Sequence, residues 1–271
     1  MCNGSIMDKL ISFSLPLMVS GILQLAFNAV DIIVVGRFSG SQALAAVGST
    51  TALINVFTNL FIGISLGANV LAARFYAAGK DREMSETVHT SITLALISGI
   101  MMAVIGVLLA KWALEIMGTP DDVIGQSALY MRIYFMGMPF FMLYNYGAAI
   151  LRAIGDTKRP LIFLIISGIA NAALNMILVI LFHMGVAGVA IGTIISQLIS
   201  CVLVLTCLYR SEGSYQLRFS KLKINGAYME QIFQVGVPAG IQSTVINLSN
   251  ALLQSSVNSF GSIAMAGYTA A

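Results

Sequence analysis

Long runs of apolar residues, separated by short polar stretches, make up most of the chain. Each of seven runs has about the 20 residues that a helix needs to cross the hydrocarbon core of a bilayer. None of the runs alternates apolar and polar residues with the period of two that membrane β-barrel strands show. The pattern predicts an all-α integral membrane protein with seven transmembrane helices, at residues 10–35, 50–73, 90–112, 127–150, 161–182, 186–208 and 232–253.

The composition agrees with this class and excludes others. Of the 271 residues, 58% are hydrophobic and 9% are charged, against about 25% charged residues in soluble domains. The formal net charge of +3 is too small to indicate a nucleic-acid partner. The sequence also has no nucleophile–base pair, phosphate-binding loop or metal motif, so we expect a protein that is not an enzyme and uses no cofactor.

Lysine and arginine are divided unevenly between the loops. If the N-terminus is cytoplasmic, the loops on that side contain 11 of these residues, and the other side has only Arg37 and, at the end of the third segment, Lys111. Such an excess is typical of cytoplasmic loops. We therefore predict a multi-pass protein of the cytoplasmic membrane with its N-terminus inside. The 11 residues are Lys9, Arg74, Lys80, Arg82, Arg152, Lys158, Arg159, Arg210, Arg218, Lys221 and Lys223.

The first and the seventh segments resemble each other. Pro16 and Phe38 recur 222 residues later as Pro238 and Phe260, which indicates an internal repeat. Because one repeat unit contains six segments, an even number, both copies run in the same direction through the membrane. Parallel six-helix repeats are a known design of transporters.

The repeat predicts three regions. These are a six-helix lobe at 1–208, a cytoplasmic linker at 209–231, and the start of a second lobe at 232–271. The rest of the second lobe is expected to be missing from this chain. We therefore expect the seventh segment to sit apart from the first six, because its own partners are absent.

Asp31 is the only acidic residue inside any predicted segment. A carboxylate in the hydrocarbon core is costly, and it is by default a functional candidate. Asn171, Asn175 and Thr193, on segments five and six, fall at depths similar to that of Asp31. Together these groups would line a pocket that binds sodium, or a proton would bind to the carboxylate alone. The alternative is that the polar groups only join one helix to another.

Other polar residues recur with the helical period on the same segments and on segment two. Such rows of polar side chains are expected to face each other rather than lipid. They are candidates for the wall of a substrate cavity: Gln24, Asn28, Asn55, Asn59 and Gln197.

Several motifs together resemble the multidrug and toxin extrusion (MATE) family. The stretch Leu-Arg-Ala-Ile-Gly-Asp-Thr-Lys-Arg-Pro at 151–160 is similar to the loop that is a hallmark of the family after its fourth helix. Further similar stretches lie at 30–31, 35–37, 44–48, 63–74, 185–193 and 236–238, so the resemblance spans nearly the whole chain.

This resemblance implies a fold of two six-helix lobes that exports cationic or amphipathic compounds against an inward flow of sodium or protons. It also implies that Asp31 is the cation-coupling carboxylate and that Asn171 and Thr193 are neutral ligands of that site. Some relatives have a second acid at the position of Asn175, which is an amide here. We expect coupling in the N-terminal lobe, as in the DinF-like branch, with no metal other than a sodium ion at Asp31.

Three alternatives remain open from the sequence. A flippase of lipid-linked oligosaccharides in the same superfamily would also need a polar stripe, although with more cations inside the membrane. A non-functional fragment is a second alternative. A retinal protein is disfavoured, because the last lysine, Lys223, precedes the seventh segment.

Overall fold

The computed structural model describes residues 6–270, and every regular element within that range is a helix. The prediction of an all-α chain is therefore confirmed. A single 3₁₀ turn, Phe219–Lys221, lies in the longest connection. The helices are α1 (Ile6–Phe38), α2 (Ser41–Ala77), α3 (Asp81–Ile116), α4 (Asp121–Met136), α5 (Met138–Ala153), α6 (Lys158–Met176, followed by a π-helical turn, Ile177–Leu181), α7 (Gly185–Arg210), α8 (Gly226–Asn258) and α9 (Ser262–Ala270).

Five helical stretches of the described chain are long and apolar enough to cross a membrane. They correspond to predicted segments one, two, three, five and six. The number of seven remains a prediction, because α4 and α5 are each only 16 residues long and α8 contains many amides and hydroxyls. The five stretches are Leu10–Phe38, Ser41–Ala77, Asp81–Ile116, Lys158–Leu181 and Gly185–Arg210.

The fourth predicted segment is not one continuous helix. It is broken at Gly137, between α4 and α5. Pro139 lies in the first turn of α5 and has no N–H to donate to the preceding turn, so the regular hydrogen-bond ladder cannot continue through it. On the neighbouring helix, Gly99 lies against the backbone of Pro139, and any side chain there would collide with it.

The seventh segment does not sit apart, so that expectation is wrong. It forms α8, which packs along α2 through two pairs of glycines. A Cβ atom added at Gly63 would meet the backbone of Gly240, and one added at Gly67 would meet the backbone around Gly236. Small residues with this spacing allow two helix backbones to approach closely without a bulky side chain between them. Much of the rest of α8 is exposed, including Ile241, so the helix lies at the side of the bundle.

The connection between α7 and α8 is shorter than the predicted linker at 209–231, because α8 already begins at Gly226. It folds back onto the first turns of α3. His89 Nε2 accepts a hydrogen bond from the backbone N–H of Arg218 at 3.1 Å. Asn225 Nδ2 donates to Glu86 Oε2 at 2.7 Å. The connection is therefore attached to the end of the bundle at which α3 begins.

Candidate functional site

Three helices bring the four predicted cation-site residues together. Asn175, on α6, donates a hydrogen bond from Nδ2 to Asp31 Oδ1 on α1. Its Nδ2 also donates to Asn171 Oδ1 at 3.3 Å, one helical turn away on α6. Asn171 Nδ2 donates to Thr193 Oγ1 on α7 at 3.4 Å, and this hydroxyl donates to the carbonyl of Val189 at 2.9 Å. The result is a continuous chain of hydrogen bonds between the carboxylate and the backbone of α7, in which Asn175 donates in both directions.

The site is buried on the side of the amides. Asn175 is fully buried, and Asn171 is 6% exposed. Asp31 and Thr193 are half-buried. A buried amide needs partners for each of its polar atoms, and both hydrogens of Asn175 Nδ2 have them. Its Oδ1 is buried and accepts no hydrogen bond from the described residues.

A large side chain next to a glycine sets the position of Asp31. Phe27 lies one helical turn before Asp31 on α1, and its ring fills the space where Gly168 of α6 lacks a side chain. Asn175 follows Gly168 by seven residues, or two helical turns, and therefore lies on the same face of α6. The contact between Phe27 and Gly168 thus aligns the carboxylate with the amide.

A second glycine sets the position of Asn175. Gly192 of α7 lies directly against Asn175 Oδ1, and a Cβ atom there would collide with this oxygen. Gly188 precedes Gly192 by four residues, a spacing of small residues that is typical of close helix packing. The π-helical turn begins at Ile177, two residues after Asn175, and such turns are frequent at functional sites.

Two tyrosines of α4 border the site and were not predicted from the sequence. The rings of Tyr130 and Tyr134 stack with centroids 6.1 Å apart, and Asp31 is within electrostatic reach of both phenol groups. Gln197 of α7 lies next to Tyr134, and its Oε1 is buried without a donor among the described residues. The four-residue spacing of the tyrosines was the available signal, because it puts both rings on one face of α4.

The other predicted cavity residues do not join this network. Gln24 and Asn28 are exposed on α1. Asn55 and Asn59 are half-buried on α2, where Asn59 Nδ2 donates to the carbonyl of Asn55 at 2.6 Å. Two cavities of the described structure, of about 1020 and 410 Å³, are lined by other residues. The role of the four predicted residues in binding a substrate remains a prediction.

Comparison with known proteins gives the family. Residues 16–177 match the MatE family model. The Bacillus subtilis (strain 168) protein "Probable multidrug resistance protein YoeA" is 34% identical to this chain, over 94% of the chain and 57% of that protein. "Multidrug export protein MepA" of Staphylococcus saprophyticus is 23% identical, over 98% of this chain and 59% of that protein.

The structure of the chain is similar to solved structures of transporters. A solved inward-facing conformation of a multidrug resistance MATE family transporter of the MOP superfamily superimposes with a TM-score of 0.85 at 21% identity, covering 95% of this chain and 60% of that one. The chain thus has the fold of a polytopic membrane transporter. Because the family model covers more than half of it, the chain belongs to the MatE family. It spans less than two thirds of the length of each of these relatives.

Proposed function

We propose that this chain forms the N-terminal lobe of a cation-coupled antiporter that exports cationic or amphipathic drugs and toxins. Asp31 is the group that binds the coupling cation. The observation that carries the proposal is the hydrogen bond from Asn175 to Asp31, the only acidic residue inside a predicted transmembrane segment. The names of the relatives, for multidrug resistance and export, favour drug export over the flipping of oligosaccharide lipids.

The coupling follows from competition for one carboxylate. The ionised group accepts the Asn175 N–H and so ties α1 to α6, and through Asn171 and Thr193 to α7. A cation that binds to Asp31 neutralises it and weakens this acceptor. The two occupancies therefore favour different packings of α1, and a ligand shifts such an equilibrium by its differential affinity for the two states.

A proton is favoured over sodium as the coupling ion. A sodium ion needs several oxygen ligands and gains from their charge, whereas Asp31 supplies the only negative charge among the four residues. Asn175 also presents its N–H, not its oxygen, to the carboxylate. A proton needs the carboxylate alone.

In a protein as long as the relatives, the substrate would pass between this lobe and a second lobe. The cytoplasmic membrane, with the N-terminus inside, is the proposed location, because the basic loops are expected on the cytoplasmic side. Amphipathic substrates fit this location, since they reach the transporter from the membrane or the cytoplasm.

The test is Asp31→Asn in the full-length protein, measured as drug export by inverted vesicles under an imposed proton or sodium gradient. The substitution keeps the shape of the side chain and removes the titratable group, so ion-driven export should fall to background while membrane insertion is retained. Asp121→Asn, at the start of α4 outside the apolar stretches, is the matched control and should export normally. Export by the Asp31→Asn variant with unchanged ion dependence would contradict the proposal.

A further inference from the structure

The larger cavity, of about 1020 Å³, lies between the first turns of α3 and the connection before α8. Three cations and one carboxylate line it: Arg82, Lys221, Lys223 and Glu86. Arg82 is paired with Glu86 at 3.1 Å. Among the described residues, neither lysine has a carboxylate within 4.0 Å, although Lys223 is within electrostatic reach of Glu86. The cavity therefore has two positive charges in excess.

Two polar side chains of α3 that line the cavity, His89 and Thr90, have partners of their own. His89 bonds to the carbonyl of Ser85 through Nδ1, at 2.6 Å, and to the N–H of Arg218 through Nε2. Thr90 Oγ1 accepts the N–H of Asn225 at 3.2 Å. These bonds attach the connection to α3 and do not involve the side chains of Lys221 and Lys223.

An exposed apolar strip continues from the cavity along α3. Ile97, Ile100 and Val104 are 48%, 50% and 53% exposed, and their spacing puts them on the same helix face as Thr90. From Thr90 to Val104 the helix rises by about 21 Å at about 1.5 Å per residue, somewhat more than one leaflet of about 15 Å. The strip itself, from Ile97 to Val104, covers about 10 Å of this length. A basic polar cavity thus lies at one end of an apolar strip that one acyl chain can cover.

We propose that this cavity and strip bind one anionic phospholipid. Its phosphate is held by Lys221 and Lys223, and one acyl chain lies along Ile97, Ile100 and Val104. A free phosphate would use only the cavity, whereas a phospholipid would also place an acyl chain on the apolar strip. The proposal concerns a different part of the molecule from Asp31 and does not depend on the coupling ion.

The test uses the whole chain in nanodiscs of phosphatidylcholine and phosphatidylglycerol, with bromine on the acyl chains of one lipid at a time. An Ile97→Trp, Trp112→Phe variant carries its only tryptophan on the apolar strip, and brominated lipid in contact with that residue quenches its fluorescence. A lysine near an anionic headgroup contributes on the order of fivefold in binding. We therefore expect phosphatidylglycerol to be preferred by about fivefold or more. The unmodified chain, with Trp112 at the opposite end of α3, should show no preference.

Two pairs of substitutions distinguish a site from general surface attraction. Lys221→Gln with Lys223→Gln should abolish the preference. Arg74→Gln with Arg210→Gln removes the same charge from exposed positions outside the cavity and should leave the preference unchanged. Equal quenching by both lipids at Ile97→Trp, or equal loss in both double variants, would overturn the proposal. So would displacement by millimolar inorganic phosphate, which would identify a soluble anion as the ligand.

Discussion

Asn175 determines what Asp31 can bind. Its two amide hydrogens point to Asp31 and to Asn171, so the carboxylate faces a donor. A donor stabilises the ionised carboxylate and competes with any cation for the same oxygen. The identity of this one side chain therefore sets the charge of the site and its preference between ions.

Asn175→Asp should make the site more selective for sodium. A second carboxylate next to Asp31 repels it when both are ionised, and a shared cation removes this repulsion. We expect the apparent sodium affinity to rise by roughly tenfold or more, which corresponds to about 1.4 kcal/mol. The measurement is sodium binding by calorimetry together with sodium-dependent export.

The control for Asn175→Asp adds a carboxylate elsewhere. Asn55 is half-buried on α2, outside the network, so Asn55→Asp should not change sodium affinity. If the unmodified protein binds sodium tightly and does not respond to a proton gradient, the preference for protons is wrong.

Gly192→Ala should damage the site without touching Asp31. The new methyl group would occupy the space of Asn175 Oδ1, so the amide must move and its bonds to Asp31 and Asn171 lengthen. Overpacking of this kind costs about 1–3 kcal/mol. We expect a lower melting temperature and weaker coupling of export to the ion gradient.

Gly21→Ala is the matched substitution on α1, where a Cβ atom meets nothing within 4 Å. It should leave the melting temperature unchanged or raise it, since alanine favours a helix over glycine by about 1 kcal/mol. Equal melting temperatures for Gly192→Ala and the unmodified chain would show that Asn175 does not need this space.

At the scale of the helices, the contact between α2 and α8 depends on backbone approach. Gly240→Ala puts a methyl group against the backbone of Leu60, which cannot rotate away as a side chain can. We expect α8 to separate from α2 and its amide hydrogens near Gly236 to exchange faster. Hydrogen exchange by mass spectrometry measures this directly.

The control for that contact is Gly125→Ala in α4, which has nothing within 4 Å of the added atom. In the Gly125→Ala variant, the amide hydrogens throughout α8 should exchange as fast as in the unmodified chain. Unchanged exchange in Gly240→Ala as well would mean that the two helices are held together by other contacts.

The sequence predicted helices better than their packing. Apolar runs gave segments one, two, three, five and six, because a spanning helix must be apolar along its whole length. The apolar run alone does not predict the break at Gly137, although Pro139 inside the fourth segment indicates a kink there, because proline lacks the N–H that a continuous helix needs. The position of α8 was also missed, although Gly236 and Gly240 have the same four-residue spacing as Gly63 and Gly67, and this spacing is typical of close helix packing.

The residues of the candidate site were predictable because they interrupt apolar segments. Polar side chains are rare in apolar segments, so Asp31, Asn171, Asn175 and Thr193 were conspicuous. Their hydrogen bonds were not predictable, because which atom of an amide faces a carboxylate depends on packing by Phe27 and Gly192 rather than on spacing. The same limit applies to Gln24 and Asn28, whose helix face matches that of Asp31 but which are exposed in the structure.

At the scale of the whole molecule, the uneven distribution of basic residues predicts one orientation in the membrane. Lys80, between α2 and α3, lies at the end of the bundle that contains most of these residues, and Lys111 lies near the other end of α3. Basic loops are retained on the cytoplasmic side during insertion. We therefore expect Lys80 to be inaccessible from outside the cell and Lys111 to be accessible.

Cysteine labelling in intact cells measures this orientation. In a chain with Cys2, Cys201 and Cys207 replaced by serine, Lys111→Cys should react with a membrane-impermeant maleimide, whereas Lys80→Cys should react only after the cells are opened. Lys111 is 62% exposed and pairs with Glu115 at 3.7 Å. Lys111→Cys leaves 11 basic residues on the predicted inner side against one on the outer side, and Lys80→Cys leaves 10 against two, so neither substitution reverses the charge bias. The reverse pattern would place the basic end outside. It would then also place the lipid-binding cavity in the outer leaflet, whereas the packing of Asp31 against Asn175 would be the same in either orientation.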